Sequence, residues 1–156
     1  MRRADREITD AAQIEAFIAQ QQIMRVAFYE NGEIYIVPVN YGYCRENGAY
    51  RFYFHGAAAG RKYTLACDAP AVGFEIDGNY AVTESDKACG YSASFQSVIG
   101  TGRLCVVEDA AEREAGLRCL MRQVSGNDAW EFDTAVLNCT AVFRLDVKTM
   151  SCKAKA

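Results

Sequence analysis

The chain has 156 residues, enough for one domain that buries its own core without disulfides or metal. Hydrophobic residues make up 51%, charged residues 24%, and the formal net charge is −3, so no basic excess points to nucleic acid as a partner. No apolar run reaches the roughly 18 residues of a membrane span. The charged start MRRADREITD has no apolar stretch behind it, so no secretory leader is expected and the expected location is the cytoplasm.

Asp10 and Gln13 form a capping-box pattern, and Ile14, Phe17 and Ile18 follow at helical spacing, which predicts a short helix over 10–22. Residues 24–29 are apolar, Asn31-Gly32 is a hairpin turn dipeptide, and 33–41 resumes with strand formers, so this segment reads as a β-hairpin. Asn47-Gly48 marks a second hairpin turn before an aromatic-rich strand over 49–55. A loose small-residue stretch leads to a short helix or turn over 61–66, and 71–77 is a further strand. Residues 78–90 read as a long loop, and 94–107 as a strand with bend points at Gly100 and Gly102. A second capping box, Asp109 with Glu112, opens a helix whose stripe is Leu117, Leu120, Met121 and Val124. The alternation over 140–147 predicts a half-buried final strand. No repeat, linker or low-complexity tract divides the chain, so residues 1–156 read as a single domain. Strands in runs with few helices indicate antiparallel pairing, and closure into a small barrel removes exposed edges.

Seven cysteines, at 44, 67, 89, 105, 119, 139 and 152, show no CxxC or CxH spacing, so neither a disulfide framework nor a metal site is expected. They read as reduced thiols used mostly as small hydrophobes, with Cys44 and Cys152 exposed.

The segment from Tyr53 to Lys62, YFHGAAAGRK, carries the most chemistry. Small residues from Gly56 to Gly60 let a backbone approach a ligand closely, and Arg61 and Lys62 directly after them can neutralise a phosphate. The same pattern also describes a surface turn with two solvated cations. His55 is the only histidine, so it cannot form a His-based zinc site alone; it is either a strand-end histidine with a satisfied hydrogen bond or a proton carrier beside a ligand. Pro38, in the strand Ile36-Val37-Pro38-Val39-Asn40-Tyr41, removes a ladder donor, which suits an edge strand or a break whose free polar groups meet a flat ring. Gln96 and Ser97 precede Gly100-Thr101-Gly102, which lacks the third glycine of a dinucleotide fingerprint.

The order of these segments resembles a known family. R-R-x-D-R-E-I-T, then I-V-P-V-N-Y-G-Y, then Y-F-H-G-A-x-x-G-R-K, then S-V-I-G-T-G is similar to the pyridoxamine 5′-phosphate oxidase-like FMN-binding split barrels, nearest their nitroimidazole-resistance branch. The resemblance implies a mainly β, six-stranded antiparallel split β-barrel with a few flanking helices. It implies a homodimer with FMN at the subunit interface. Arg61 and Lys62 would hold the FMN phosphate, with Gly56 in the same loop. The backbone of Pro38, Val39, Asn40 and Tyr41 would line the isoalloxazine ring. Ser97 and Gln96 would complete that environment; many relatives carry Arg or Lys at the position of Gln96. His55 would take part in reducing a small-molecule substrate. The basic C-terminal extension of true vitamin B6 oxidases is missing, so that reaction is not expected. Three functions follow as expectations: an FMN-dependent oxidoreductase acting on a small organic acceptor such as a nitroaromatic, a non-catalytic flavin- or haem-binding carrier or sensor, and a structural barrel with a degenerate site.

Overall fold

A computed structural model describes residues 3–68, 70–127 and 129–155. Arg2, the first residue of the family-like N-terminal motif, lies outside them. The elements in chain order are β1 (Glu7–Ile8), α1 (Ala11–Gln20), β2 (Ile23–Glu30), β3 (Glu33–Asn40), β4 (Gly42–Glu46), β5 (Ala49–Ala57), α2 (Arg61–Asp68), β6 (Ala71–Thr83), β7 (Ser92–Val106), α3 (Ala110–Ser125), α4 (Thr134–Cys139) and β8 (Thr140–Lys155).

All strand pairs are antiparallel, in the order β3-β2-β6-β7-β8-β5-β4, with β1 added to β8. The two strands that end this path, β3 and β4, are consecutive in sequence and separated by Tyr41 alone. The sheet therefore has to curl until its ends approach each other, which makes it a split barrel. The sheet holds eight strands rather than six, the additions being the short β1 and β4.

Local chemistry sets the elements. Asp10 caps α1 by accepting from the Gln13 N–H at 2.8 Å, and Asp109 caps α3 by accepting from the Glu112 N–H at 2.8 Å. Asn31-Gly32 and Asn47-Gly48 both adopt positive φ at both residues, as two-residue hairpin turns require. Gly126, at φ 72°, ends α3.

The barrel interior is filled by the inward phase of each strand, including Met24, Val26, Phe28, Phe52, Phe54, Phe74, Ile76, Phe143 and Leu145. Phe17 and Ile18 of α1 close one end, and Leu65 and Ala66 of α2 complete the core. A second, smaller cluster lies under α3, where Leu117 and Cys119 meet Tyr53 and Val142. This helix covers the outward phase of β8, so its first half is buried on both faces rather than on one. On α3 the buried face is Gly116, Leu117, Cys119 and Leu120, while Val124 is exposed.

Residues 78–83 are strand, not loop. A register shift between Gly78 and Ala81, with Asn79 at φ 56°, marks a β-bulge, and pairing resumes with Ala81–Ser94, Val82–Ala93 and Thr83–Ser92. Cys152 is buried at 1% exposure, not exposed, because β8 runs on past residue 147 and turns this thiol into the barrel opposite Val98. Only Cys119 and Cys152 are fully buried, while Cys67, Cys89 and Cys139 are exposed, so the cysteines are not mainly core filler. Among the described residues no cluster suits a metal ion, and no helix is long and apolar enough to cross a membrane.

Gly42 lies so close to α3 that a Cβ there would overlap the backbone carbonyl of Cys119 and the Leu120 nitrogen. Backbone cannot yield as a side chain can, so Gly42→Ala should destabilise the fold by about 2–3 kcal/mol. Urea unfolding measures this, and a loss below about 0.5 kcal/mol would mean that α3 is not seated on β4 as described.

Candidate functional site

His55, Gly56 and the loop to Gly60 leave the end of β5, and Gly60 at φ +91° turns the chain into α2. The Thr64 N–H donates to the Gly60 carbonyl at 3.1 Å, so the N–H groups of Arg61, Lys62 and Tyr63 form the open first turn of the helix. These residues are brought together. The Lys62 ammonium donates to the His55 carbonyl at 3.4 Å and lies over the rings of Phe54 and Phe143 at 5.5 and 5.2 Å. It passes directly over Gly56, where a Cβ would sit 2.7 Å from Nζ. Burial lowers the Lys62 pKa, and among the described residues no carboxylate pairs with it.

Arg61 is already engaged. Its Nε and Nη2 both reach one Glu30 carboxylate oxygen, at 3.0 and 2.9 Å, and its guanidinium stacks on Tyr35 at 4.5 Å. Sequence reasoning missed Glu30. The available signal was its place on the inward phase of β2, after Met24, Val26 and Phe28, where a carboxylate calls for a partner.

The His55 side chain points away from the barrel interior, on the phase opposite Phe52 and Phe54, into a cavity beside α3 and α4. Burial first, and the Lys62 charge second, lower its pKa from 6.5.

The other expected residues lie elsewhere. Pro38 is on the end strand β3, where a missing ladder donor is tolerated, paired with Arg25. The Asn40 amide donates to the Gln22 carbonyl at 3.0 Å. Val39 faces inward, and Tyr41 is wholly buried with its hydroxyl donating to the Ile18 carbonyl at 2.7 Å. Gln96 faces the barrel end near α1, accepting from Asn79 at 3.3 Å and lying 3.9 Å from Cys152 Sγ. Ser97 is 7% exposed, and its hydroxyl has no hydrogen-bond partner. The register separates these residues from Arg61. Ser97 pairs with Asp77, two residues beyond the Arg25–Glu75 pair and so level with Ile23, whereas Arg61 holds Glu30 at the other end of β2. Seven residues of strand span roughly 23 Å. Within one chain the expected site is therefore in two halves.

The outward face of the barrel near Ser97 carries Arg25, held by Glu75 at 3.0 Å and by Asp77. Around it stand Ile23, Tyr29, Ile34, Ile36 and Ile99, all large hydrophobics exposed on strands β2, β3 and β7.

The family model for pyridoxamine 5′-phosphate oxidase matches residues 10–154, and the chain belongs to that family. Among curated proteins no match was found. The fold is similar to that of a protein described as a candidate 5-nitroimidazole antibiotic resistance protein from Bacteroides thetaiotaomicron, with TM-score 0.81 and 23% identity, over 95% of this chain and 86% of that one. The flavocytochrome Anf3 from Azotobacter vinelandii is similar at TM-score 0.81 and 21% identity, over 100% of this chain and 72% of its own. An FAD and heme binding protein from Mycobacterium smegmatis is similar at TM-score 0.81 and 16% identity, over 95% of this chain and 72% of its own.

Because His55 is desolvated and faces the Lys62 charge, its imidazole should be neutral at pH 7, with a midpoint below 6.5. Lys62→Met removes the charge and should move the midpoint upward. An NMR titration of this single histidine reads both values, and a midpoint that does not rise in the variant would contradict the placement of Lys62 beside it.

Proposed function

We propose that this chain binds FMN as a homodimer in the cytoplasm and reduces a small organic acceptor, a nitroaromatic or a compound like it. The observation that carries this reading is Lys62. A half-buried ammonium with no carboxylate partner, laid over a glycine at the open first turn of a helix, is suited to an anion. The residues present fit a phosphate, since Arg61 adds a fork beside Lys62 and the loop from Gly56 to Gly60 allows close approach.

Ser97 and Gln96 lie too far from Lys62 to share a site within one chain, and the exposed apolar face of β2, β3 and β7 is suited to a second copy. Two chains would each supply one half, Arg61 and Lys62 from one and the Gln96–Ser97 strand from the other. The unpartnered Ser97 hydroxyl would then find its acceptor or donor. The exposed edge at Pro38 and Asn40 would offer backbone groups to the ring, while Val39 and Tyr41 hold that edge from inside the core.

FMN, when bound, supplies the redox chemistry. Lys62 and Arg61 hold its phosphate, and Arg61 exchanges its Glu30 partner for that anion. His55 holds or relays a proton at an imidazole nitrogen, the neutral form at pH 7 being able to accept one and its conjugate acid to return it. The likeness to a flavocytochrome and to an FAD and heme binding protein favours a second reading, a carrier without turnover. Turnover of a reduced pyridine nucleotide with an acceptor separates the two, since only the first reading predicts it.

Replacing both Arg61 and Lys62 by Ala should weaken FMN binding about 100-fold or more, as expected for two charge-assisted contacts. Fluorescence quenching of added FMN measures it, and unchanged affinity would remove the anchoring assignment.

A further inference from the structure

The cavity that His55 faces is distinct from the Arg61–Lys62 turn. It has a volume of about 230 Å³ and lies between β5, α3, α4 and the start of β8. Its walls are Leu117, Leu120, Met121, Phe132, Val136 and Leu137. No cation lines it. The polar groups at its rim are mostly committed. Asp133 caps α4, accepting from the Ala135 and Val136 N–H groups at 2.7 and 3.2 Å. The Thr140 hydroxyl donates to the Val136 carbonyl at 2.8 Å. The His55 imidazole, by contrast, has no hydrogen-bond partner among the described residues, so it is the polar group left to meet a ligand.

We propose that this cavity binds a small uncharged ring compound, one substituted five- or six-membered ring, which His55 engages by a single hydrogen bond. Size and wall chemistry set the class. An apolar cavity of roughly 150 Å³ holds a benzene ring, so this one takes a single ring with substituents. A carboxylate or phosphate would be buried among aliphatic side chains beside the Asp133 carboxylate, with no cation to compensate. In the oxidoreductase reading the occupant is the acceptor, and on that point alone the proposal rests on that reading. Binding itself does not.

The test uses the full chain without flavin, so its result stays readable whether or not FMN binds. Phenol and benzoate, similar in size and different in charge, are titrated while the NMR signals of the single histidine are followed. Phenol should shift the His55 imidazole signals saturably, and benzoate should bind roughly tenfold more weakly or worse. Leu137→Trp, which fills the cavity, should abolish the phenol response. Val136→Trp, at a position 64% exposed and so tolerant of the change, should reduce it if Leu137→Trp does not fold. No saturable shift, equal binding of benzoate, or a phenol response that survives in the folded variants would overturn the proposal.

Discussion

Tyr41 is the only residue between β3 and β4, and those strands end the sheet on opposite sides. A sheet whose two ends are joined by one residue has to close around that residue. The Tyr41 ring sits at the joint with no exposure, packed edge-on against Phe52, and its hydroxyl donates to the last turn of α1 at Ile18. Burial raises its pKa, which keeps the phenol protonated and able to donate. The same α1 carbonyl accepts at 2.8 Å from Gln123 of α3, whose amide also reaches the Ala19 and Gln21 carbonyls at 3.2 and 2.7 Å. The unpaired carbonyls that a helix leaves at its C-terminus are thus satisfied by the joint and by α3 together.

The closure also divides the chemistry. It sends β2 away from the joint, so that Glu30, Tyr35 and Arg61 gather at one end of the barrel and Asn40, Gln96 and Ser97 lie toward the other. It leaves β3 as an end strand whose outward phase, Ile34, Ile36 and Pro38, faces solvent in a single chain. A partner chain is therefore part of the functional argument. Arg61 shows what the isolated chain does with an anion-binding group. It pairs with Glu30, which keeps α2 docked and leaves Lys62 as the open charge.

Much of this was legible in the sequence where local chemistry decides the outcome. Asn-Gly dipeptides fix hairpin turns through positive φ, and Asp10 and Asp109 mark helix starts because their carboxylates reach two or three residues on. The basic pair after a small-residue loop identified the turn at Gly60. The misses share a different origin. Gly78-Asn79 looked like a strand end, but pairing with β7 carried the strand through a bulge, and no local signal reports a distant partner. Thr140–Lys155 outran its alternating pattern because β7 runs beside it for nearly its whole length. α4 is a six-residue helix set by the Asp133 cap, too short to show a period. The outward direction of His55 follows from counting along β5, yet its apolar surroundings come from α3 and α4, eighty residues later in the chain.

The central claim is that one anion-binding half and one strand half, from two chains, make a flavin site. Sedimentation of FMN-loaded protein, followed at the flavin absorption band, tests it most directly. Flavin should travel with a two-chain species at one flavin per chain. Flavin left unbound, or carried at the same ratio by a single chain, would contradict it.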